Sequence, residues 1–357
     1  MSPVYLFVLV SVIVLAYVAE TNPKCYLTRK GVMIYPNPGA AFLLSAVLIL
    51  VSGLRYHIGT DYWAYYFNRV TDWNEVWKSL ILFKEPGIKL MSIISHTIYD
   101  DGQSLIFLSA LITIGLFCLT IYRNSAMYLV GMLLYLFLGD WQGSFNGVRQ
   151  YLAAAILFAG HRYILYRNFP KYLAVVIIAA LFHISAVVMI VPYFLLTKKP
   201  DIKLLVILLL GAIILNFSYG VIFRLIGEAK GKVLYISDPY FVNTVKLPRI
   251  LVAFIPAAIY LFLCKKEGNS AEQEFYISAM LFNAFAMLAS MGSTYLARIG
   301  IYTGAILPVG YGFLFQTIQD ERTKKKALFG VLLLYLFYWL YSLQTWSLNP
   351  FYWIFER

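Results

Sequence analysis

Apolar residues in this chain are grouped into runs of about 17–23, long enough as α-helices to cross a hydrocarbon core of about 30 Å. Only 13% of the residues are charged, about half the share in a soluble domain, so lipid is the solvent these runs demand. The expected fold class is an all-α polytopic membrane protein of roughly 10–12 transmembrane or re-entrant helices, in a single domain over residues 1–357. Candidate crossings are 3–19, 33–53, 103–121, 125–139, 149–165, 203–224, 248–264, 275–291, 296–316 and 327–345. The first, Pro3 to Ala19, has no basic residue ahead of it and reads as a retained helix rather than a cleaved signal.

Two further segments are ambiguous. Residues 85–99 are short and half polar, as expected of a helix lying in the interface. Residues 172–196 are long enough to cross, but the sequence Phe182-His183-Ile184-Ser185 interrupts them. If 85–99 lies on the surface and 172–196 dips in and returns, the clusters Lys24/Arg29/Lys30, Arg162/Arg167/Lys171, Lys198/Lys199/Lys203, Lys265/Lys266 and Arg322/Lys324/Lys325/Lys326 share one face. With Arg123 they hold more than half of the 29 basic residues, which makes that face cytoplasmic. Residues 54–84, 139–148 and 225–247 then lie on the periplasmic side, and 54–99 forms a loop with interfacial helices.

The net charge of +12 is scattered singly through loops rather than gathered in a patch, which argues against nucleic acid and for anionic headgroups of the bilayer. Cys25, Cys118 and Cys264 are odd in number and lack CxxC spacing, and His57, His96 and His161 lack ligand spacing, so no metal site is assigned. Nothing requires a cofactor, while a divalent metal stays open.

Chemistry-bearing residues gather directly after the second apolar run, at Arg55 to Tyr66. Gly59 permits a sharp turn, and Thr60 or Asp61 can cap a new helix. A helix from 61 to about 70 places Asp61, Tyr65, Asn68 and Asp72 on one stripe and Tyr62, Tyr66 and Arg69 on the next. A carboxylate beside aromatic rings suits a sugar: the acid can accept a hydroxyl proton while ring faces stack on a pyranose. The plainer readings are Asp61 as an N-cap, Arg55 as a snorkelling cation and the tyrosines as an interface belt.

The second cluster is Gly143 to Gln150. Ser144 or Asn146 is a natural N-cap, which puts Arg149 in the first turn of the next helix, where a cation opposes the helix dipole. An anion bound there turns that penalty into attraction, because backbone N–H groups and the guanidinium both point at it. Arg298 repeats the arrangement after Gly292-Ser293-Thr294, so the two arginines suggest a phosphate-binding centre. His183 is the ionisable residue of its apolar stretch and reads either as hydrogen-bonded to backbone or as a site residue. Glu85-Pro86-Gly87 opens the surface helix, with Glu85 as its N-terminal anion or as a site residue.

The ordered motifs RYxxGTDYxxYY (55–66), EPG (85–87), NGVRQxLAAAI (146–156), AxxFHISA (179–186) and ARIGIYxxxxLP (297–308) resemble the EpsG family of Wzy-type exopolysaccharide and capsule polymerases. The resemblance implies a GT-C-like glycosyltransferase in the bacterial cytoplasmic membrane. Its donor and acceptor would be oligosaccharide repeat units on undecaprenyl diphosphate, joined at the periplasmic or outer face. A flippase and a chain-length regulator would be further partners. Arg55, Gly59, Asp61, Glu85, Arg149, Gln150, His183 and Arg298 match the family pattern. The expected roles are Asp61, His183 and Glu85 in catalysis, Arg55, Arg149 and Arg298 on the diphosphate, and Tyr56, Tyr62, Tyr65, Asn146 and Gln150 on the sugars. Two rival readings are a transferase adding one sugar from a polyprenyl phosphate and a transporter of the lipid-linked unit. The chain has no internal repeat of the kind that transporters often carry.

Overall fold

The computed structural model describes all residues except 1, 29–30, 83, 197–198, 230–244, 246, 266 and 347. Most of the polar stretch 225–247, and Arg29, Lys30, Lys198 and Lys266 of the basic clusters, lie outside the described residues. Helices α1 (Pro3–Thr21) and α2 (Pro38–Gly53) flank a hairpin of β1 (Lys24–Thr28) and β2 (Gly31–Tyr35). After a two-residue strand β3 (Arg55–Tyr56) come α3 (Tyr62–Tyr66), α4 (Trp73–Ile81), α5 (Pro86–Ile98) and α6 (Gly102–Asn124). Then follow α7 (Tyr128–Phe137), α8 (Asp140–Gly143), α9 (Val148–Ala159), α10 (Arg162–Leu165), α11 (Phe169–Ala180), α12 (Ile190–Leu195) and α13 (Ile202–Ala229). The chain closes with α14 (Leu247–Leu263), α15 (Ala271–Ala289), α16 (Ile299–Gly304), α17 (Leu307–Gln316), α18 (Glu321–Thr345) and β4 (Tyr352–Trp353), which pairs with β3.

The chain is a multi-pass helical membrane protein. Among the described residues, α1, α6, the Ile202–Val221 part of α13, and α18 are each long and apolar enough to cross a bilayer. The segments Leu296–Gly304 and Leu307–Gln316, bent by 58° at a short break, meet the same criterion only when taken together, as a broken span or a re-entrant loop. The larger set of crossings expected from apolar runs therefore separates into these full-length spans and shorter apolar helices such as α2, α7, α11 and α14 packed among them. The differences have local causes. The run 33–53 becomes helical only at Pro38, because Gly31–Tyr35 pairs with β1 and Asn37 caps the helix, its side chain accepting from Gly39 N and Ala40 N. The run 125–139 stops at Gly139, whose φ of 93° leaves the helical region.

The segment 172–196 folds back on itself. Tyr172 donates to Met189 O at 2.8 Å and stacks on Tyr193 with ring centroids 5.7 Å apart, so both limbs of the segment lie side by side. The reversal occurs at Leu181–His183, where His183 is extended (φ −150°, ψ 114°). The start of α5 docks on this break: Gly87 N donates to Leu181 O at 2.9 Å, and a Cβ on Gly87 would lie 2.8 Å from the Phe182 ring.

The described basic clusters gather at one end of the bundle. Arg162 donates to Asn124 at the end of α6 and pairs with Glu272 at the start of α15. Lys199 lies 3.8 Å from Glu274 on that same helix start, and Lys265 N donates to Thr317 O just before α18. The opposite end holds Asn349, which accepts from Ser2 N.

In a cysteine-free background, single cysteines at Lys171, Lys199 and Lys265 should react with an impermeant maleimide from one side of the membrane, and one at Asn349 from the other. Opposite-side labelling at Lys171 and Lys199 would show that the intervening segment crosses.

Candidate functional site

The loop after α2 is built around a buried cation. Arg55 is 2% exposed; its Nη1 donates to Ser52 O (2.6 Å), its Nε to Ile58 O (3.3 Å), and its guanidinium covers the Phe145 ring at 4.6 Å. These contacts fold 55–58 into a tight turn that ends at Gly59. There φ is 96°, and a Cβ would sit 2.4 Å from Phe145 O, so both conformation and space require glycine. Thr60 N then donates to Asn146 Oδ1 (2.8 Å), while Asn146 Nδ2 donates to Trp346 O (3.0 Å). One amide thus ties the first loop to the end of the last long helix. Asp61 follows at the cap position of α3 but makes no capping hydrogen bond.

Arg149 sits in the first turn of α9, whose N-cap is Gly147 with no side-chain cap, rather than Ser144 or Asn146. Ser144 instead donates to Trp141 O (2.6 Å). The guanidinium opposed to the dipole is held from two directions: its Nη1 pairs with Glu85 and its Nε donates to Tyr65 OH at 3.0 Å. Glu85 occupies the left-handed region (φ 52°) immediately before Pro86, and its other oxygen accepts from Ile184 N at 3.1 Å. A non-glycine residue held there costs of order 1–2 kcal/mol, which the docking of α5 on the helix break must offset.

The break supplies His183. Its Nδ1 contacts Ser185 Oγ at 2.7 Å and Tyr302 OH at 3.0 Å, and Ser185 and Tyr302 are themselves 2.8 Å apart. Gln150 Nε2 donates to Arg298 O at 2.9 Å, fixing the short 3₁₀ turn at Leu296–Arg298 beside the start of α9. The Arg298 guanidinium lies 5.5 Å from the Tyr295 ring.

These segments enclose a cavity of about 440 Å³, whose walls include Asp61, Tyr65, Asn146, Arg149, Gln150, His183 and Arg298. A family model described as EpsG matches residues 40–353, nearly the whole chain. The chain belongs to the EpsG family. That is a family of Wzy-like polysaccharide polymerases, as the ordered motifs implied. No curated protein and no solved structure matches the chain.

Within this EpsG fold, not every expected site residue reaches the cavity. Arg55 does not line it; its Nε and Nη1 donate to the Ile58 and Ser52 carbonyls, which places it in the turn beside the cavity. Tyr62 is fully buried and donates to Gln103 Oε1 (2.8 Å), and Tyr56 is held in the β3–β4 pair, so neither faces the cavity. Glu85 pairs with Arg149 and does not itself line the cavity. The expected helix from 61 to 70 ends at Tyr66, because Asp72 caps α4 by accepting from Asn74 N at 2.8 Å. Asn68 and Asp72 therefore leave the polar stripe. Sequence reasoning missed Trp346 and Tyr151, which also line the cavity. An aromatic at the end of an apolar run reads as interface anchor, and only the Asn146 contact reveals Trp346 as a wall.

Burial pushes the Asp61 carboxyl above the usual aspartate range, against the opposing pull of Arg149 first and then Arg298. Burial pushes the His183 imidazole below its usual range, with Glu85 pulling up and both arginines pulling further down. Among the described residues, no three of His, Cys, Asp and Glu converge in a group able to hold a metal.

Gly59→Ala should lower stability by about 1–3 kcal/mol or prevent folding, since it meets both the positive φ and the Phe145 carbonyl. Gly115→Ala, where a Cβ meets nothing within 4 Å, should leave the thermal midpoint in detergent unchanged. Equal behaviour of the two variants would contradict the packing described.

Proposed function

We propose that the cavity transfers a growing glycan from undecaprenyl diphosphate to the sugar of an incoming lipid-linked repeat unit at the periplasmic or outer face. The observation that carries this reading is the pairing of two guanidiniums, Arg149 and Arg298, with the carboxylate of Asp61 in one cavity beside an uncapped helix start. A diphosphate is a good leaving group once its charge is neutralised, and fixed cations provide that without reorganisation at the moment of bond cleavage. An acceptor hydroxyl attacks the anomeric carbon, its proton passes to Asp61, and the carbon–oxygen bond to the diphosphate breaks with the electron pair leaving on phosphate oxygen. Glu85 and Tyr65 keep the Arg149 fork aimed; His183, held through Nδ1, stands by as a second base.

An apolar groove of about 320 Å³ supports the lipid side of the reading. It is lined by Val188, Leu208, Ala212 and Phe285, and by Leu296 and Ile299, which flank Arg298. A chain of isoprene units fits such a surface, with its headgroup delivered to the arginines. The reaction needs no cofactor in this scheme. A GT-C-like grouping is retained as part of the proposal, on the strength of an acidic residue in the first loop followed by surface-lying helices.

Arg149→Ala should slow lengthening of a supplied lipid-linked repeat unit by about 10²–10³-fold at normal protein level, the cost of removing one preorganised donor. Arg149→Lys should recover little, because an ammonium cannot grip a diphosphate in two-pronged fashion. Full recovery with lysine would remove the bidentate role, and products longer than two repeats separate polymerisation from single-sugar addition.

The base must be ionised to act, so activity should rise with pH through a midpoint above the ordinary aspartate value of about 3.9. That limb should vanish in Asp61→Asn along with most turnover; normal turnover in this variant would reduce Asp61 to a turn residue.

A further inference from the structure

A second, smaller chamber of about 80 Å³ adjoins the main cavity and shares Tyr151, Ile301 and Trp346 with it as a common wall. Beyond that wall its lining includes Asp140, Arg249, Asn283 and Tyr338. Asp140 is 7% exposed, and no described donor reaches its Oδ2. Burying a carboxylate without a partner is costly, and a chain that keeps one has it available for something other than its own fold.

The backbone places this group with care. Gly139 has φ 93°, and a Cβ there would lie 2.8 Å from the Trp346 ring, so the chain turns tightly against the shared wall and presents Asp140 at once. A Cβ on Gly143, three residues on, would lie 2.2 Å from Tyr151 OH. Arg249 donates to Ala297 O at 3.3 Å and lines the chamber without forming an ion pair to Asp140 among the described residues. A carboxylate, a guanidinium, phenol groups and an indole around one chamber are the chemistry of sugar recognition: charge-assisted hydrogen bonds to hydroxyls and an apolar face for the ring.

We propose that this chamber is a saccharide subsite, which holds the hydroxyl-bearing edge of one sugar of the lipid-linked repeat unit with Asp140 accepting its hydrogen bonds. It has room for a few hydroxyl groups, given that one water needs about 10–15 Å³ by the same measure. The inference rests on the polymerase reading above and deepens it. Burial pushes the Asp140 carboxyl up to about 7, so near neutral pH it can accept from one hydroxyl or donate to another.

The test uses purified full-length protein with two probes: repeat-unit lipid extracted from cells lacking the polymerase, and undecaprenyl diphosphate alone. Asp140→Asn should raise KM for the repeat unit about tenfold or more while kcat stays within about threefold, because the group binds substrate away from the breaking bond. Affinity for undecaprenyl diphosphate should not change. The thermal midpoint should hold or rise, since the variant removes an unpaired buried charge; a merely structural aspartate would lower it. Tyr338→Phe, which removes one hydroxyl only, should raise the same KM by a smaller factor and decides the matter if Asp140→Asn does not fold. An unchanged KM in the folded variants overturns the subsite, whatever happens to kcat. Failure of the wild-type protein to bind undecaprenyl diphosphate would instead overturn the polymerase reading, and the subsite with it.

Discussion

The Arg149 guanidinium is the contact on which the site depends. In the first turn of an uncapped helix it faces the positive end of the dipole, and its helix alone offers it nothing. Its partners come from two other segments: Tyr65 on the short helix after the first loop, and Glu85 at the start of α5. Those partners are in turn fixed by backbone, since Glu85 also accepts from Ile184 N. Three distant stretches of chain are thereby locked around one cation that lines the cavity.

A cavity of this polarity can exist in an apolar bundle only because several helices are broken. Lipid offers no hydrogen bonds, so irregular backbone at depth survives only where it is buried or lines a polar space. The reversal at Leu181–His183, the uncapped start of α9 and the 3₁₀ turn at Leu296–Arg298 all lie against the same cavity. Each break frees backbone groups, and each places an ionisable side chain beside them. Fold irregularity and chemistry are here one property: an unbroken helix at any of these positions would satisfy its backbone internally and turn its polar residue elsewhere.

Sequence made some of this legible for a definite reason. A cation at the wrong end of a helix dipole has a cost that local structure cannot repay, so Arg149 and Arg298 stood out and are found in one cavity. Arg55 was expected on the diphosphate through the family pattern and not through a dipole argument; its place in its own turn depends on how closely the Phe145 loop approaches, which spacing does not encode. A fold-back of 172–196 was one of the courses the loop charges allowed, and the Tyr172–Met189 contact places its two limbs side by side. Asp140 was hidden because it stands at the boundary of an apolar run, where a carboxylate reads as the mere end of a helix. Helix lengths were least legible, since hydropathy marks what can sit in lipid and not where a Pro38 start or a positive-φ Gly139 ends the helix.

The balance of charge around Asp61 bears on how the proposed reaction is timed. Two guanidiniums stabilise its ionised form while burial opposes it, and burial prevails, leaving the carboxyl raised. A diphosphate seated on Arg149 and Arg298 neutralises much of their field at Asp61, and so withdraws the influence that holds its basicity down. In the proposed reaction Asp61 would therefore be a stronger base with donor bound than with the cations uncovered. Under the same proposal, departure of the diphosphate would let the arginines favour release of the proton from Asp61 to solvent, resetting the carboxylate for the next unit. One pair of cations can thus serve the leaving group during bond cleavage and the base between turnovers, provided that all three groups share one poorly hydrated cavity, as their placement allows.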